Sequence, residues 1–315
     1  MAAGALRVRV AAVEPIAESV RRIELRAEGG GELPPFTAGA HIDLQLPGMI
    51  RSYSLVNAQH ERHRYVIAAN LDPRSRGGSR FLHEELREGA VLDLRGPRNN
   101  FPLEESAATS LLIAGGIGIT PLWCMIQRLE ALGRDWRLVY CARTRRHAAF
   151  LPELEAFGPR VRFNFDGEPG GAQLDLAGLV TSAAPGTHLY CCGPVSMLQA
   201  FEQATAGRPA AEVHVEYFSA AQPRSVEGGY TVVLQRSGLQ FEVPPGKTIM
   251  DTLIAHGVEA PYSCLEGVCG TCETRVIEGL PDHRDLVLSK KEREANRTIM
   301  ICCSGSRTAR LVLDL

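Results

Sequence analysis

Short runs of alternating apolar and polar residues dominate the first hundred positions. They fall at 6–13, 19–26, 41–46, 51–56, 64–70 and 90–95, with turn residues between them. Side chains of a strand point alternately to two faces, so this rhythm predicts strands half buried on a core. Six short strands and one helical stretch, 80–87, predict an antiparallel barrel. From Glu104 the rhythm changes. Apolar runs at 110–114, 137–142, 161–166, 188–192 and 212–218 alternate with helical segments, which predicts a parallel sheet covered on both faces. The Pro- and Gly-bearing stretch 220–229 reads as a linker. Beyond it, 230–235 and 239–243 flank Arg236-Ser237-Gly238 as a hairpin. A helix is predicted over 248–256, capped by Thr248 and stopped by Gly257. Strands follow near 274–277, 298–301 and 310–315. The chain thus divides into 1–103, an antiparallel β-barrel; 104–224, an α/β parallel-sheet domain; and 225–315, a small α+β module.

Composition narrows the function classes. The 315 residues are 45% hydrophobic and 22% charged, ordinary values for a globular protein. A net charge of −2 implies no bulk attraction to nucleic acid. The longest apolar stretch, 111–126, is broken by three glycines and a proline, so it reads as strand, turn and helix and not as a membrane span. Met1-Ala2-Ala3-Gly4 runs straight into the first strand without a secretory leader. The nine cysteines are an odd number. Together these features predict a reducing, cytoplasmic setting with no nucleic-acid or membrane partner.

Four of the cysteines carry the most specific chemistry. Cys264, Cys269 and Cys272 are spaced C-x4-C-x2-C, and Cys302 follows after a long gap. This is the spacing of plant-type [2Fe–2S] ferredoxins. Thiolates are soft donors suited to an iron–sulfide cluster. Gly267 and Gly270 lie between ligands, where the backbone must bend tightly and turn N–H groups towards sulfur. Disulfides would need an oxidising compartment. Structural zinc usually takes a second close pair of ligands, which Cys264 does not supply. Cys124, Cys141 and Cys191 fall on predicted strands or helices and read as core thiols.

Two glycine turns point to a nucleotide. Leu111-Leu112-Ile113-Ala114 reads as a buried strand and runs into Gly115-Gly116-Ile117-Gly118-Ile119-Thr120-Pro121, where a helix is predicted with Thr120 as cap and Pro121 in its first turn. Glycines admit a ligand close to the backbone, and a helix N-terminus offers N–H groups to a pyrophosphate. A later strand ends at Cys192-Gly193-Pro194 and opens another helix. Ligands of open parallel sheets bind at the C-terminal ends of the strands, where both turns fall. Arg143, Arg145 and Arg146 end a third strand and suit ribose or phosphate groups, or equally a solvated face. In the first block, Arg51-Ser52-Tyr53-Ser54 offers a cation, an aromatic face and two hydroxyls for a flat polar ring. Arg76-Gly77-Gly78-Ser79-Arg80 reads as a phosphate nest at a helix start.

These motifs occur together in one known family. R-S-Y-S-L from Arg51, G-G-S from Gly77, P-R-N-N-F-P-L from Pro97, G-G-I-G-I-T-P from Gly115 and C-C-G-P from Cys191 are joined by H-V-E-Y-F from His214, the cysteine loop and P-D-H-R-D from Pro281. Over essentially its whole length the chain resembles the phthalate dioxygenase reductases, which include the vanillate O-demethylase reductases. The resemblance implies a flavin barrel, a nicotinamide-binding domain and a β-grasp plant-type ferredoxin domain, in that order. It implies FMN, with Arg51, Ser52, Tyr53 and Ser54 along the isoalloxazine and ribityl chain, backbone contacts from Ala68, Ala69 and Asn70, and Gly77, Gly78 and Ser79 on the phosphate. Gly115, Gly116, Arg143, Cys192, Gly193 and Pro194 would contact NADH, with NADPH left open by the arginines. Thr120 and Phe218 would lie near the flavin or nicotinamide, with Phe218 on the flavin face until nicotinamide displaces it. Ser54 and Cys192 would sit beside the reacting atoms. The family often has C-V-S-R after the last ligand, whereas this chain has Cys302-Cys303-Ser304-Gly305; counting back from the matching tail makes Cys302 the ligand.

The implied activity is that of the reductase component of a multicomponent oxygenase or demethylase. Hydride would pass from nicotinamide to FMN, and single electrons from there to a cluster near −400 mV. The acceptor would be a Rieske-type or haem oxygenase docking near Glu266, Glu273 and Glu278. A redox-sensing regulatory flavo-iron–sulfur protein, or a ferredoxin-like binding module on an inactive flavin scaffold, is the alternative.

Overall fold

The computed structural model describes residues 6–73, 77–219 and 223–315. Met1 to Gly4, Arg76 and part of the expected linker lie outside the described residues. The chain forms two compact units, Met1–Glu216 and Tyr217–Leu315, and each is described by itself.

The first unit holds two sheets. Strands β1 (Leu6–Ala17), β2 (Val20–Ala27), β3 (His41–Leu46), β4 (Met49–Ser54), β5 (Tyr65–Asn70) and β6 (Val91–Arg98) are ordered β4-β3-β6-β1-β2-β5. All five pairings are antiparallel. The end strands meet just past β4: Leu55 bridges Ile67, and Val56 N–H donates to the Val66 carbonyl at 2.8 Å. That closure makes a barrel, which removes exposed sheet edges. Alternate residues point inward, so Val8, Val10, Ile23, Leu25, Ile42 and Leu44 are fully buried. One turn of helix, α1 (Gly78–Arg80), continues as a π turn over Phe81–Glu85, so the helical stretch starts and ends earlier than the sequence pattern indicates.

The second sheet alternates with helices: β7 (Thr109–Gly115), α2 (Ile119–Ala131), β8 (Asp135–Ala142), α3 (Leu151–Glu155), β9 (Val161–Phe165), α4 (Leu176–Ser182), β10 (His188–Cys192), α5 (Val195–Thr205) and β11 (Val213–Glu216). The order is β11-β10-β7-β8-β9, with every pairing parallel. The chain winds outward from β7 in one direction and then returns to β10 on its other side. The topological switch point, where such sheets bind ligands, therefore lies between the ends of β7 and β10. Helix α2 also packs on the barrel: Cys124 Sγ lies 3.2 Å from the Asn57 carbonyl, and Gln127 Nε2 donates to the Val56 carbonyl at 2.7 Å. One continuous core thus joins the two sheets, which is why the first two blocks of the sequence lie in one compact unit.

The second unit contains β12 (Tyr230–Leu234), β13 (Gln240–Val243), α6 (Ile249–Ala255), β14 (Glu273–Glu278), β15 (Pro281–Asp282), α7 (Lys290–Ala295), β16 (Thr298–Met300), β17 (Gly305–Ser306) and β18 (Arg310–Leu313). Five strands run in the order β13-β12-β18-β14-β16, and β15 pairs with β17 apart from them. The contact of β12 with β18 is parallel and the other pairings are antiparallel. Helix α6 buries Ile249, Met250 and Leu253 against the sheet. Thr248 caps it in a reciprocal box with Asp251, both bonds at 3.1 Å. Gly257, at φ +70°, ends it, with Val258 N–H reaching back to the Leu253 carbonyl at 2.9 Å.

Candidate functional site

Three elements of the first unit bring the expected flavin residues together. Strand β4 carries Arg51, Ser52, Tyr53 and Ser54, strand β5 carries Ala68, Ala69 and Asn70, and α1 with the residue before it carries Gly77, Gly78 and Ser79. Strand β4 touches both β5 and α1. The Arg51 side chain lies directly over Gly78: a Cβ there would be 2.8 Å from Arg51 Cγ and 3.1 Å from Nε. Gly77 is at φ +102°, a conformation that side chains rarely adopt. Glycine at these two places therefore lets the Arg51 side chain and the start of α1 share one small space. Ser52 Oγ donates to Asp43 Oδ1 at 2.7 Å, and Arg98 pairs with the other oxygen of that buried carboxylate. Burial pushes the Tyr53 hydroxyl up to about 12, so it stays a neutral donor. The Ala69 carbonyl is already taken by His83 Nε2 at 2.8 Å, and the Asn70 carboxamide by Ser19 at 2.6 Å. Ser79 Oγ accepts from Asp72 N–H at 3.2 Å.

Where the nucleotide is expected, the turn after β7 and the end of β10 pack against each other through glycines. A Cβ on Gly115 would meet Pro194 Cδ at 2.6 Å and Gly193 Cα at 3.2 Å. On Gly118 it would meet the Cys192 carbonyl oxygen at 2.2 Å. The ends of β7 and β10 can approach this closely only without side chains there. Gly116, at φ +54°, faces open space. This turn also touches β5, the strand of Ala68, Ala69 and Asn70. The residues expected to hold flavin and nucleotide therefore lie on neighbouring elements of one core, and Ser54 and Cys192 are both buried.

Thr120 departs from expectation. The cap of α2 is Gly118; Thr120 is buried in the first turn, where its hydroxyl donates to the Ile117 carbonyl at 2.9 Å. The glycine turn curls once as a 3-10 helix over Gly116–Gly118 and runs directly into α2, which therefore starts before Thr120. Pro121 does lie in the first turn. Arg143 is exposed at the end of β8. Arg145 pairs with Glu155 and lies 5.8 Å over the Phe165 ring. Phe218 falls in the second unit and is 40% exposed.

The sequence pattern missed Glu216. It ends β11, in register with Cys192. Its stem is half-buried, but Oε2 is shut off from solvent and has no hydrogen-bond partner among the described residues. Burial pushes this carboxyl up to about 8, so it is mostly protonated at neutral pH. Only the H-V-E-Y-F motif hinted at it. A separate cavity of about 320 Å³, bordered by Glu24, Arg64, Trp123 and Phe150 among others, contains none of the expected site residues.

In the second unit the four expected cysteines meet. Cys264 is in hydrogen-bonding reach of Cys269 and Cys302, and Cys272 of Cys302. These contacts hold the Cys264 thiol well below and the Cys272 thiol below their ordinary value and push Cys269 and Cys302 up. Leu265, Gly267 and Gly270 all have left-handed backbone, at φ +57°, +73° and +75°. The resulting curl aims Glu266 N–H at Cys264 Sγ, 3.3 Å away. Four thiols that meet in pairs, with backbone N–H groups turned to sulfur, fit a [2Fe–2S] cluster. Among the described residues no group of three His, Cys, Asp or Glu is placed to hold a metal ion by itself. Cys303 Sγ lies 3.6 Å from the Met300 carbonyl and against Gly267 of the cysteine loop, in reach of Cys302. All nine cysteines are free; Cys124 and Cys191 are buried and Cys141 is half-buried. Glu273 and Glu278 are exposed and Glu266 is half-buried. Glu278 is paired with Arg310 at 2.6 Å. No helix among the described residues is long and apolar enough to cross a membrane.

Comparison with known proteins agrees with this architecture. The family model described as "2Fe-2S iron-sulfur cluster binding domain" matches residues 232–306, and "Oxidoreductase NAD-binding domain" matches 112–203. Fold and site define an NAD(P)H-dependent flavin and iron–sulfur oxidoreductase, an electron-transfer reductase of the kind that serves oxygenases and demethylases. Phthalate dioxygenase reductase of Burkholderia cepacia is 40% identical over 99% of this chain and 98% of its own. The chain belongs to the phthalate dioxygenase reductase family. Its cofactors are those of the family: FMN, a [2Fe–2S] cluster and NADH.

Among relatives of higher identity, phenoxybenzoate dioxygenase subunit beta of Ectopseudomonas oleovorans is 55% identical over 98% of this chain and 97% of its own. Tetrachlorobenzoquinone reductase of Sphingobium chlorophenolicum is 52% identical over 97% of each. A solved phthalate dioxygenase reductase, described as carrying electrons from pyridine nucleotides to [2Fe–2S], superposes with a TM-score of 0.80 at 39% identity, covering 99% of this chain and 98% of that one. A type IV self-sufficient cytochrome P450 monooxygenase gives 0.85 at 41% identity; this chain spans 41% of its length. The relatives are reductase components, which does not favour the regulatory alternative.

Proposed function

We propose that this chain delivers electrons to a separate, Rieske-type oxygenase acting on an aromatic acid. The supporting observation is the likeness to the relative named for a phenoxybenzoate dioxygenase, 55% identical over 98% of this chain. FMN, when bound, supplies the step from hydride to single-electron transfer that nicotinamide and cluster cannot make with each other.

In this reading Arg51, Gly77, Gly78 and Ser79 hold the flavin phosphate, and Ser52, Tyr53, Ser54 and the β5 residues Ala68, Ala69 and Asn70 line the rest of the cofactor. Gly115, Gly116, Cys192, Gly193 and Pro194 take NADH, with Arg143 at the rim. Thr120 holds the glycine turn in shape through its bond to Ile117. Glu216, neutral at physiological pH, offers its carboxyl beside Cys192 to the nicotinamide carboxamide. Cys264, Cys269, Cys272 and Cys302 carry the cluster. The partner docks by Glu266 and Glu273, where Val287, 39% exposed, flanks the loop at Gly270.

The test is reduction of candidate acceptors by the NADH-reduced chain. A purified Rieske oxygenase is expected to be reduced in stopped flow faster than a cytochrome P450, with product formed only in its presence. Faster reduction of the P450 would overturn the assignment. The similarity to a tetrachlorobenzoquinone reductase favours one second reading, a halogenated quinone as direct acceptor. Steady-state quinone reduction outpacing electron delivery to every oxygenase tried would establish it.

A further inference from the structure

The P-D-H-R-D run is a family motif that the flavin and nucleotide chemistry leaves unused. Pro281–Asp282 pairs with Gly305–Ser306, directly beyond the turn that bears Cys302. Arg284 N–H donates to Ser304 Oγ at 3.0 Å, on the same turn. Two residues further, Leu286 N–H donates to the Gly267 carbonyl at 2.8 Å, in the middle of the loop between Cys264 and Cys269. One short strap is thus tied at one end to the fourth cysteine and at the other to the loop that bears the first three.

Asp285 is the centre of this strap and is 1% exposed. Its Oδ2 accepts from the N–H groups of Val287 at 3.1 Å and Leu288 at 2.8 Å. Its carbonyl accepts from the Arg293 guanidinium at 2.6 Å. His283 faces Oδ1 at 3.7 Å and leans on Asn296 at 3.3 Å. The strap in turn closes on the cysteine loop. A Cβ on Gly267 would lie 2.4 Å from Cys303 Sγ and 3.0 Å from Asp285 Cα. Gly267 is therefore clamped between the residue after the fourth cysteine and the centre of the strap. The loop that carries three thiols has no regular secondary structure from Cys264 to Cys269, so an external brace must supply the order that a helix or sheet would give.

We propose that Asp285 is the positioning residue of a clasp, segment 281–288, that holds the three-cysteine loop in register with Cys302 and so sets the geometry of the cluster these thiols carry. The proposal rests on reading the four thiols as the cluster ligands. Groups that orient metal ligands from behind typically affect metal retention strongly when removed.

The experiment compares holoprotein of wild type, Asp285→Ala and Asp285→Asn. Its readouts are the EPR signal of the reduced cluster, iron release to a chelator, and flavin reduction by NADH. Asp285→Ala is expected to change the EPR g-values and to release iron about tenfold faster or more, with flavin reduction unchanged. Asp285→Asn keeps an acceptor oxygen for Val287 and Leu288 and is expected to restore iron retention to within about twofold of wild type. If Asp285→Ala yields no folded holoprotein, Ser304→Ala carries the test, because it deletes the acceptor for Arg284, together with a 3.7 Å contact to Cys303 Sγ, and should still speed iron release. Wild-type spectra and release rates in Asp285→Ala, or in Ser304→Ala where that variant stands in, would overturn the clasp. So would an Asp285→Asn protein as impaired as Asp285→Ala. A wild-type chain that takes up no cluster at all would overturn the ligand assignment along with it.

Discussion

A side chain on Gly118 would drive its Cβ to 2.2 Å from the carbonyl oxygen of Cys192. One lies in the turn after β7 and the other at the end of β10, the strands that border the switch point, and both are backbone positions that cannot move aside cheaply. Gly118→Ala is expected to force the two strand ends apart and lower kcat/KM for NADH by about tenfold or more, equivalent to at least about 1.4 kcal/mol. The cluster spectrum should be unchanged, because the cysteines belong to the other compact unit. Steady-state kinetics with ferricyanide as acceptor measure this; unaltered kinetics would remove the glycine contact from the account.

Arg51 lies across Gly78 at the start of α1. If that junction binds the flavin phosphate, Arg51→Ala removes a charge-assisted hydrogen bond and should weaken FMN binding by about tenfold or more, 1.4 kcal/mol per decade. The check is the ratio of flavin to protein after gel filtration, followed by titration of FMN into the apoprotein. Stoichiometric retention by the variant would place the phosphate elsewhere.

Cys302 and Cys303 are adjacent and both buried, yet only Cys302 is in hydrogen-bonding reach of Cys264 and Cys272. Cys302→Ser should lose the cluster's visible absorbance, while Cys303→Ser should keep it. The reverse result would exchange the two residues.

A pair of histidines gives a pH dependence to the first unit. His188 Nδ1 and His214 Nε2 are 3.0 Å apart, and Tyr190 stacks on His214 with ring centres 4.2 Å apart. Burial first, and His188 second, lower the His214 imidazole to about 4, against a smaller opposing pull from Glu104. A histidine held neutral in the fold binds fewer protons than it does unfolded. Stability is therefore full above about 6.5 and is lost as pH falls towards 4. His214→Gln keeps a hydrogen-bonding group without the titration. Between pH 7 and pH 5 the wild type should lose about 2–4 °C more in melting temperature than this variant. Parallel losses in both proteins would count against the histidine pair.

Much of the fold was legible because its signals were local. Thr248, a hydroxyl before an apolar run, predicted the helix it caps, and Gly257 predicted its end. Alternation in 6–13 and 19–26 located β1 and β2, although β1 runs on to Ala17 and β2 is shifted by one residue. Helix α7 was missed because it buries none of its residues; Lys290–Ala295 has no apolar stripe and is held by the box between Ser289 and Glu292. Thr120 misled because a hydroxyl before a helical run looks the same whether it caps the helix or bonds back to Ile117. Gly118 and Glu216 owe their importance to strands distant in sequence, Cys192 above all, and spacing along the chain cannot show that.

Anaerobic addition of NADH to the purified chain, followed by absorbance and EPR together, tests the central claim most directly. The account predicts bleaching of a bound flavin followed by the EPR signal of a reduced [2Fe–2S] cluster. A flavin that is fully reduced while no such signal develops, in protein with a full complement of iron and sulfide, would contradict it.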